Sequence, residues 1–425
     1  MAKTNNIREI LVYADWVGLN EPTLMGRLSA GLTRGKEIFS FEYEKQWLEA
    51  SYALYLDPNL QMYAGRQYLP EDKSNFGIFL DSSPDRWGRV LMKRREALIA
   101  RKEGRKENIL FETDYLLGVF DEHRMGGLRF KTDINSPYLN DNRQLASPPW
   151  ASLRELEHAC EQLEKDDEVD DKDRAKWLNM LIAPGSSLGG ARPKASVIDP
   201  GGHLWIAKFP SRYDDVNTGA WEMVAQKLAM KSGIRVAEAK LLNLSGRQDT
   251  FLVKRFDRSD KGRRIHFASA MTLLGHKDGD DHDMGVSYLD LAQTIIQTGA
   301  NVAADLQELW TRIVFSICIS NTDDHLRNHG FLLSHNGWHL SPAYDLNPVP
   351  TGTGLKLNIS ETDNSLNLDL AKEVAEYFRI KKGDADEIID KVIKSVSRWK
   401  EIAKEIGIPN SQIDSMENAF SNFKN

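Results

Sequence analysis

The sequence has almost no cysteine: two in 425 residues, Cys160 and Cys318. Two thiols cannot supply a disulfide framework, and both sit in apolar helical patterns, so buried, reduced cysteines are expected. No apolar run approaches the ~20 residues needed to cross a bilayer. The opening Met-Ala-Lys-Thr-Asn-Asn has no apolar core of a secretory leader behind it. A cytoplasmic protein with no membrane partner is therefore expected. Positive charge is not in excess either: 55 Lys and Arg stand against 62 Asp and Glu, a net −7. That disfavours unaided, non-specific DNA binding, which needs a basic footprint, although a local basic patch stays open. No internal repeat is visible. What remains is ordinary globular composition, 41% hydrophobic and 28% charged, long enough for two or three compact units.

The densest polar stretch is 321–345. It holds the carboxylates Asp323, Asp324 and Asp345, the amides Asn321, Asn328 and Asn336, and His325, His329, His335 and His339. Apolar Ile313 to Ile319 leads in and Phe331-Leu332-Leu333 follows, as expected for a rigidly held site.

Along the chain, Ile10 to Tyr13 and Phe39 to Tyr43 read as strands, with Gly18 and Gly26 marking turns. Ser83-Pro84 reads as the capped start of a basic amphipathic helix from Arg86 to Arg101. Ser147-Pro148-Pro149-Trp150 breaks structure inside a connector, and 164–174 is a solvated acidic run. Ala195 to Ile198 and Leu204 to Pro210 make a hairpin about Pro200-Gly201-Gly202. Ala220 to Met230 is a helix carrying Glu222, and Phe251 to Phe256 is a further strand. Ser287 to Thr298, Asp305 to Ser320, Ala371 to Arg379 and Asp384 to Ile406 have helical apolar spacing.

Phosphoryl transfer requires a backbone cradle for phosphates, a lysine upon them, carboxylate and amide ligands for Mg²⁺, and a base for the attacking hydroxyl. Ser187 to Lys194 can offer backbone N–H groups where Gly189 and Gly190 remove side chains. It is neither a Walker A sequence nor a strict G-x-G-x-x-G, and a plain glycine turn reads it equally well. Lys208 ends an apolar strand and needs a phosphate, Glu222 or solvent as partner. Asp323 and Asn328 have the Asp-x-x-x-x-Asn spacing of a kinase catalytic loop, and Asp345 follows after a hairpin, where a kinase holds its second Mg²⁺ ligand. A zinc reading of the four histidines stays open but lacks any cysteine in the loop. The cluster His276, Asp278, Asp280, Asp281, His282 and Asp283 reads as a loop without calcium-loop spacing.

These pieces resemble the HipA family, the serine/threonine-kinase toxins of bacterial toxin–antitoxin pairs. The resemblance rests on Ser187-Leu-Gly-Gly-Ala-Arg-Pro-Lys194, Ile206-Ala-Lys208-Phe-Pro210, Val253-Lys-Arg-Phe-Asp257, Asn321-Thr-Asp-Asp-His-Leu-Arg-Asn328 and Leu340-Ser-Pro-Ala-Tyr-Asp345. It extends forward through Leu80 to Gly88 and Gly118 to Phe130. It implies an α+β, two-lobed, protein-kinase-like (HipA-like) fold. The expected parts are an N-terminal α/β subdomain (1–135), a nucleotide-binding lobe (136–256) and a mostly helical lobe (257–425). The family pattern implies that Gly189, Gly190, Ala191, Arg192, Pro193 and Lys194 contact ATP, that Lys208 holds phosphates, and that Lys254, Arg255 and Phe256 form the adenine hinge. His325, Leu326, Arg327, Asn328, Tyr344 and Asp345 join the ATP-binding set. Asp323 is the implied proton acceptor, with Asn328 and Asp345 on Mg²⁺. The implied autophosphorylation site is Ser187, with Ser186 second. The implied partners are a helix-turn-helix antitoxin (HipB-like), through which DNA is met only indirectly, and a protein substrate such as an aminoacyl-tRNA synthetase. A small-molecule phosphotransferase, or a pseudokinase that binds an antitoxin without catalysis, are the alternatives.

Overall fold

The computed structural model describes residues 7–51, 54–70, 72–165, 171–182 and 192–423. The chain is α+β and divides into two compact units: Met1–Ala207 with Asp257–Ala268, and Lys208–Phe256 with Ser269–Asn425.

The first unit is built on a five-stranded antiparallel sheet in the order Arg66–Tyr68, Lys36–Tyr43, Thr23–Thr33, Ile7–Ala14, Leu128–Lys131. Alternation dictates its buried face. Ile10 pairs with Leu28 and Leu28 with Phe41, Ala30 pairs with Phe39, and Val12 pairs with Phe130. Phe41 meets Phe76 and Phe79, and Phe79 meets Phe130, at ring separations of 5.6 to 6.4 Å. Gly26 lies inside a strand and not at a turn. A Cβ there would stand 2.4 Å from both the Glu42 carbonyl and the Phe41 ring, so the position needs hydrogen because two strands and an aromatic ring close upon it. Gly18, at φ +109°, does occupy a turn.

The basic helix runs Arg86–Glu103, capped by Asp85 and not by Ser83: Asp85 accepts from the Gly88 N–H at 2.8 Å. Ser82 and Ser83 instead return their hydroxyls to the carbonyls of Ile78 and Phe79, closing the preceding helix Gly77–Asp81. Buried Arg124 ties this region together, donating to the carbonyls of Ser82, Leu116, Val119 and Leu139. Residues 257–268 join the unit through Asp257, which accepts from Gly126 N–H, and Arg264, which donates to the Asp121 carbonyl.

The second unit is mostly helical. Helix Val302–Cys318 is buried along most of its length, and Ile313, Val314, Phe315, Ile317, Cys318 and Ile319 are all fully enclosed. Trp221 on helix Thr218–Ser232 packs with Trp399 and Phe420, the last two stacked at 4.3 Å. The expected helix from Asp384 to Ile406 is two helices, Lys382–Val396 and Trp399–Ile406. The break at Ser397 and Arg398 escapes sequence reading because the buried positions Val392, Val396, Trp399 and Ala403 keep helical spacing across it. Both cysteines are buried and unbridged; burial pushes the Cys318 thiol up to about 12. Among the described residues no helix is long and apolar enough to cross a membrane.

Candidate functional site

Helix Val302–Cys318 delivers the chain into the polar loop at a sharp angle. Ser320 adopts φ +49°, and Asn321 N–H turns back to the Ser316 carbonyl at 2.8 Å. The Ser320 hydroxyl donates to the Ala419 carbonyl and accepts from Asn422 Nδ2, so the loop is held from a second direction.

Asp323 and Asp324 are neighbours with opposite surroundings. Asp323 is exposed, while its carbonyl accepts from His325 N–H and from Asn328 Nδ2 at 3.0 Å. That bond fixes the five-residue spacing as one turn, ending in the short 3-10 segment Leu326–Asn328. Asp324 points inward. Its carboxylate accepts from Tyr288 Oη at 2.6 Å and Ser316 Oγ at 3.4 Å, and lies 3.2 Å from His329 Nε2. Burial alone would raise this carboxyl, but His329 and the Tyr288 hydroxyl outweigh it and hold it below the usual range. Asp324 therefore shapes the loop from beneath.

The second half of the site is the segment after the hairpin Gly330–Ser334 and Gly337–Leu340. Arg312 donates to the Ser341 carbonyl, and Ala343 N–H to the Arg235 carbonyl. Tyr344 Oη donates to the Arg327 carbonyl at 2.7 Å, and Asn347 N–H to Asn321 Oδ1 at 3.3 Å. These bonds strap 344–347 onto 321–327. Between them Asp345 takes φ +59°, an uncommon conformation for a residue with a side chain and one that other contacts must enforce. Lys208 Nζ reaches it at 2.8 Å and Glu222 at 2.6 Å. Burial lowers the Lys208 ammonium, and Asp345 and Glu222 more than restore it, holding it above its ordinary range. One positive charge faces two negative ones, an excess that favours a further cation.

Two amide oxygens suit such an ion. Asn328 Oδ1 and Asn347 Oδ1 are buried without a hydrogen-bond partner among the described residues, though both amide nitrogens are engaged. With the Asp345 carboxylate, the Asn328 oxygen fits the oxygen-ligand chemistry of Mg²⁺, which uses few protein ligands and completes its shell with water and phosphate. Among the described residues no group of three His, Cys, Asp or Glu could hold a metal. The four histidines go separate ways: His329 to Asp324, His339 to 3.8 Å from Asp305, His335 to the exposed hairpin turn, and His325 half-buried beside Asp324. His276 meets Asp280 at 3.0 Å in a local loop contact.

The second unit thus gathers Lys208, Asp323, Asn328, Tyr344 and Asp345, with Phe256 5.6 Å from Tyr344 and Lys254 N–H bonded to the Glu238 carbonyl. Arg255 is buried in the same unit, as is Leu326. Arg192, Pro193 and Lys194 belong to the first unit, where Lys194 is ion-paired to Asp85 at 3.1 Å. Ser186, Ser187, Gly189, Gly190 and Ala191 lie outside the described residues. Sequence reasoning missed Asn347 and Tyr288. Asn347, two residues past Asp345, could have been suspected from position; Tyr288, 36 residues before Asp324, carried no local signal.

Residues 186–400 match the family model described as the HipA-like C-terminal domain. A Haemophilus influenzae protein named "Putative kinase" is 28% identical over 188 residues, 39% of this chain and 54% of that one. The Escherichia coli protein Toxin YjjJ is 26% identical over 183 residues, 40% of each. The chain spans about half the length of the curated relatives it matches first. In fold it is similar to a chain of the solved Shewanella oneidensis MR-1 toxin antitoxin system HipA, HipB and operator DNA complex. That likeness has a TM-score of 0.65 and 19% identity, and covers 97% of this chain and 95% of the other.

Proposed function

The chain belongs to the HipA-like family, and on that footing we propose that it is an ATP- and Mg²⁺-dependent serine/threonine protein kinase acting as the toxin of a toxin–antitoxin pair. The observation that carries the reading is the Lys208 bridge between Glu222 and Asp345, standing in one unit with the Asp323–Asn328 turn. In this reading Lys208 holds the ATP phosphates while Glu222 keeps its ammonium charged and directed. Asn328 and Asp345 hold Mg²⁺, which when bound neutralises phosphate charge. Asp323, exposed on a turn pinned by its own carbonyl, accepts the proton of the attacking serine or threonine hydroxyl. Transfer is direct and in line, with positioning and charge neutralisation supplying the rate. Phe256, beside Tyr344, together with Lys254 and Arg255 serves the adenine end. Ser187 is the proposed autophosphorylation site.

A translation component such as an aminoacyl-tRNA synthetase is the proposed substrate. A small helix-turn-helix antitoxin is the proposed partner; the HipB of the similar complex supports it. The test is transfer of labelled γ-phosphate from ATP to protein in a cell lysate, with wild type and Asp323→Asn. We expect the variant to lose about a hundredfold or more of the rate, the usual scale for a missing general base. Equal rates would refute the role of Asp323, and label found only in small molecules would refute the protein-kinase reading.

A further inference from the structure

A cavity of about 400 Å³ lies in the first unit, between helix Arg86–Glu103 and helix Glu112–Gly118. Its walls are mixed: Met92, Ile99, Leu110, Leu117 and Leu139 supply an apolar side, and charged and polar side chains including Arg95 and Glu96 supply the rest, in a volume of the size that holds small organic ligands. One charge in that lining is unmatched. Arg95 makes no hydrogen bond or ion pair with any described residue; burial depresses its guanidinium, and the neighbouring Glu96 carboxylate offsets this only in part. The other charged groups around it are engaged elsewhere. Arg8 donates to Asp114 and Thr113 at 3.0 and 3.2 Å, and Glu96 accepts from Arg105 at 2.6 Å and from Asn108 N–H at 2.8 Å. Asp114 also accepts from Phe111 N–H. A mostly buried guanidinium without a partner is costly, and a bound anion removes that cost while its apolar body covers the lining.

We propose that this cavity is a binding site for a small amphipathic anion, with Arg95 gripping a carboxylate or phosphate head and Met92, Ile99 and Leu117 enclosing an apolar body. The planar guanidinium fork offers paired donors to either head group. The site lies outside the residues matched by the family model and is independent of the phosphoryl-transfer reading. Leu117 and Gly118 end the helix that begins at Glu112, whose carboxylate grips Arg89 in two bonds, so the two helices that wall the cavity are tied together.

The test is calorimetric titration of the full chain with octanoate, octyl phosphate and octan-1-ol. We expect both anions to saturate one site per chain, and the alcohol to bind about tenfold more weakly or worse, the scale of a charge-assisted pair. Whichever anion binds more tightly identifies the head group. Arg95→Met, which keeps the apolar stem, should weaken octanoate binding by about tenfold or more, and Arg95→Lys by less. Ile99→Trp, placed at a position already 36% exposed, should block entry without disturbing the core. It stands as the second variant if circular dichroism shows that Arg95→Met does not fold. The proposal is overturned by absent saturation with both anions, by octan-1-ol binding as tightly as octanoate, or by full-strength octanoate binding to a folded Arg95→Met or Ile99→Trp protein.

Discussion

Lys208 Nζ and Asp345 Oδ1 lie 2.8 Å apart across 137 residues of sequence, and the same ammonium meets Glu222 at 2.6 Å. The three groups are largely shielded from water, with side-chain exposures of 14%, 23% and 7%. Lys208→Met would leave two shielded carboxylates facing each other. It should cost about 3–5 kcal/mol of unfolding free energy, read by urea denaturation, because a broken buried pair leaves uncompensated charge. Phosphate transfer should fall with it. A variant as stable as wild type would mean that the carboxylates escape to solvent.

Asn328→Leu tests the metal assignment separately from the fold. The Asn328 amide oxygen is buried without a partner among the described residues, so replacing it removes none of their hydrogen bonds on that side. The lost Nδ2 bond to the Asp323 carbonyl should cost about 1 kcal/mol. The Mg²⁺ concentration for half-maximal transfer should rise about tenfold or more, the scale of one lost charge-assisted contact. An unchanged Mg²⁺ dependence would remove Asn328 from the ligand set.

Tyr288→Phe addresses the buried carboxylate beneath the loop. Tyr288 Oη donates to Asp324 at 2.6 Å and helps to hold that carboxyl below its unfolded value of about 3.9. A depressed carboxyl stabilises the fold above its unfolded pKa, and that contribution fades as pH falls through the folded one. The variant should lose about 1–3 kcal/mol at neutral pH, and its acid-unfolding midpoint should move to higher pH. Acid titration followed by circular dichroism measures both, and coincident curves would show that Ser316 and His329 suffice.

Arg124→Lys should be severe despite keeping the charge. The guanidinium donates to four carbonyls from two nitrogens, and an ammonium has only three donors on a single atom. At least one buried carbonyl is left unsatisfied, at about 1–3 kcal/mol each. Thermal unfolding should show the loss in the first unit, and a melt unchanged from wild type would mean that the carbonyls find other donors.

The sequence revealed what is written in contiguous residues. The loop 321–328, the approach of Lys208 along an apolar strand, and the hairpin before Asp345 are each local patterns, and the structure has all of these elements. Contacts between distant segments left no local trace. Nothing near Asp85 announces that it both caps a helix and pairs with Lys194, and nothing near Gly26 shows an aromatic ring arriving from the adjacent strand. The return of residues 257–268 to the first unit is likewise a product of Arg264 and Asp257 meeting backbone more than a hundred residues earlier. In the sequence Arg95 is one more charge on the basic helix from Arg86 to Arg101, because periodicity does not show which guanidinium finds a carboxylate.

The hold on Ser320 from Ala419 spans 99 residues. At a synthesis rate of about 5–20 residues per second, the loop that carries Asp323 waits roughly 5–20 s for the segment that anchors it. During that interval the helix before it can form, since its contacts are local, but the turn has only its own short-range bonds. Translation therefore meters the maturation of this loop: a nascent chain has the motif long before it has the geometry.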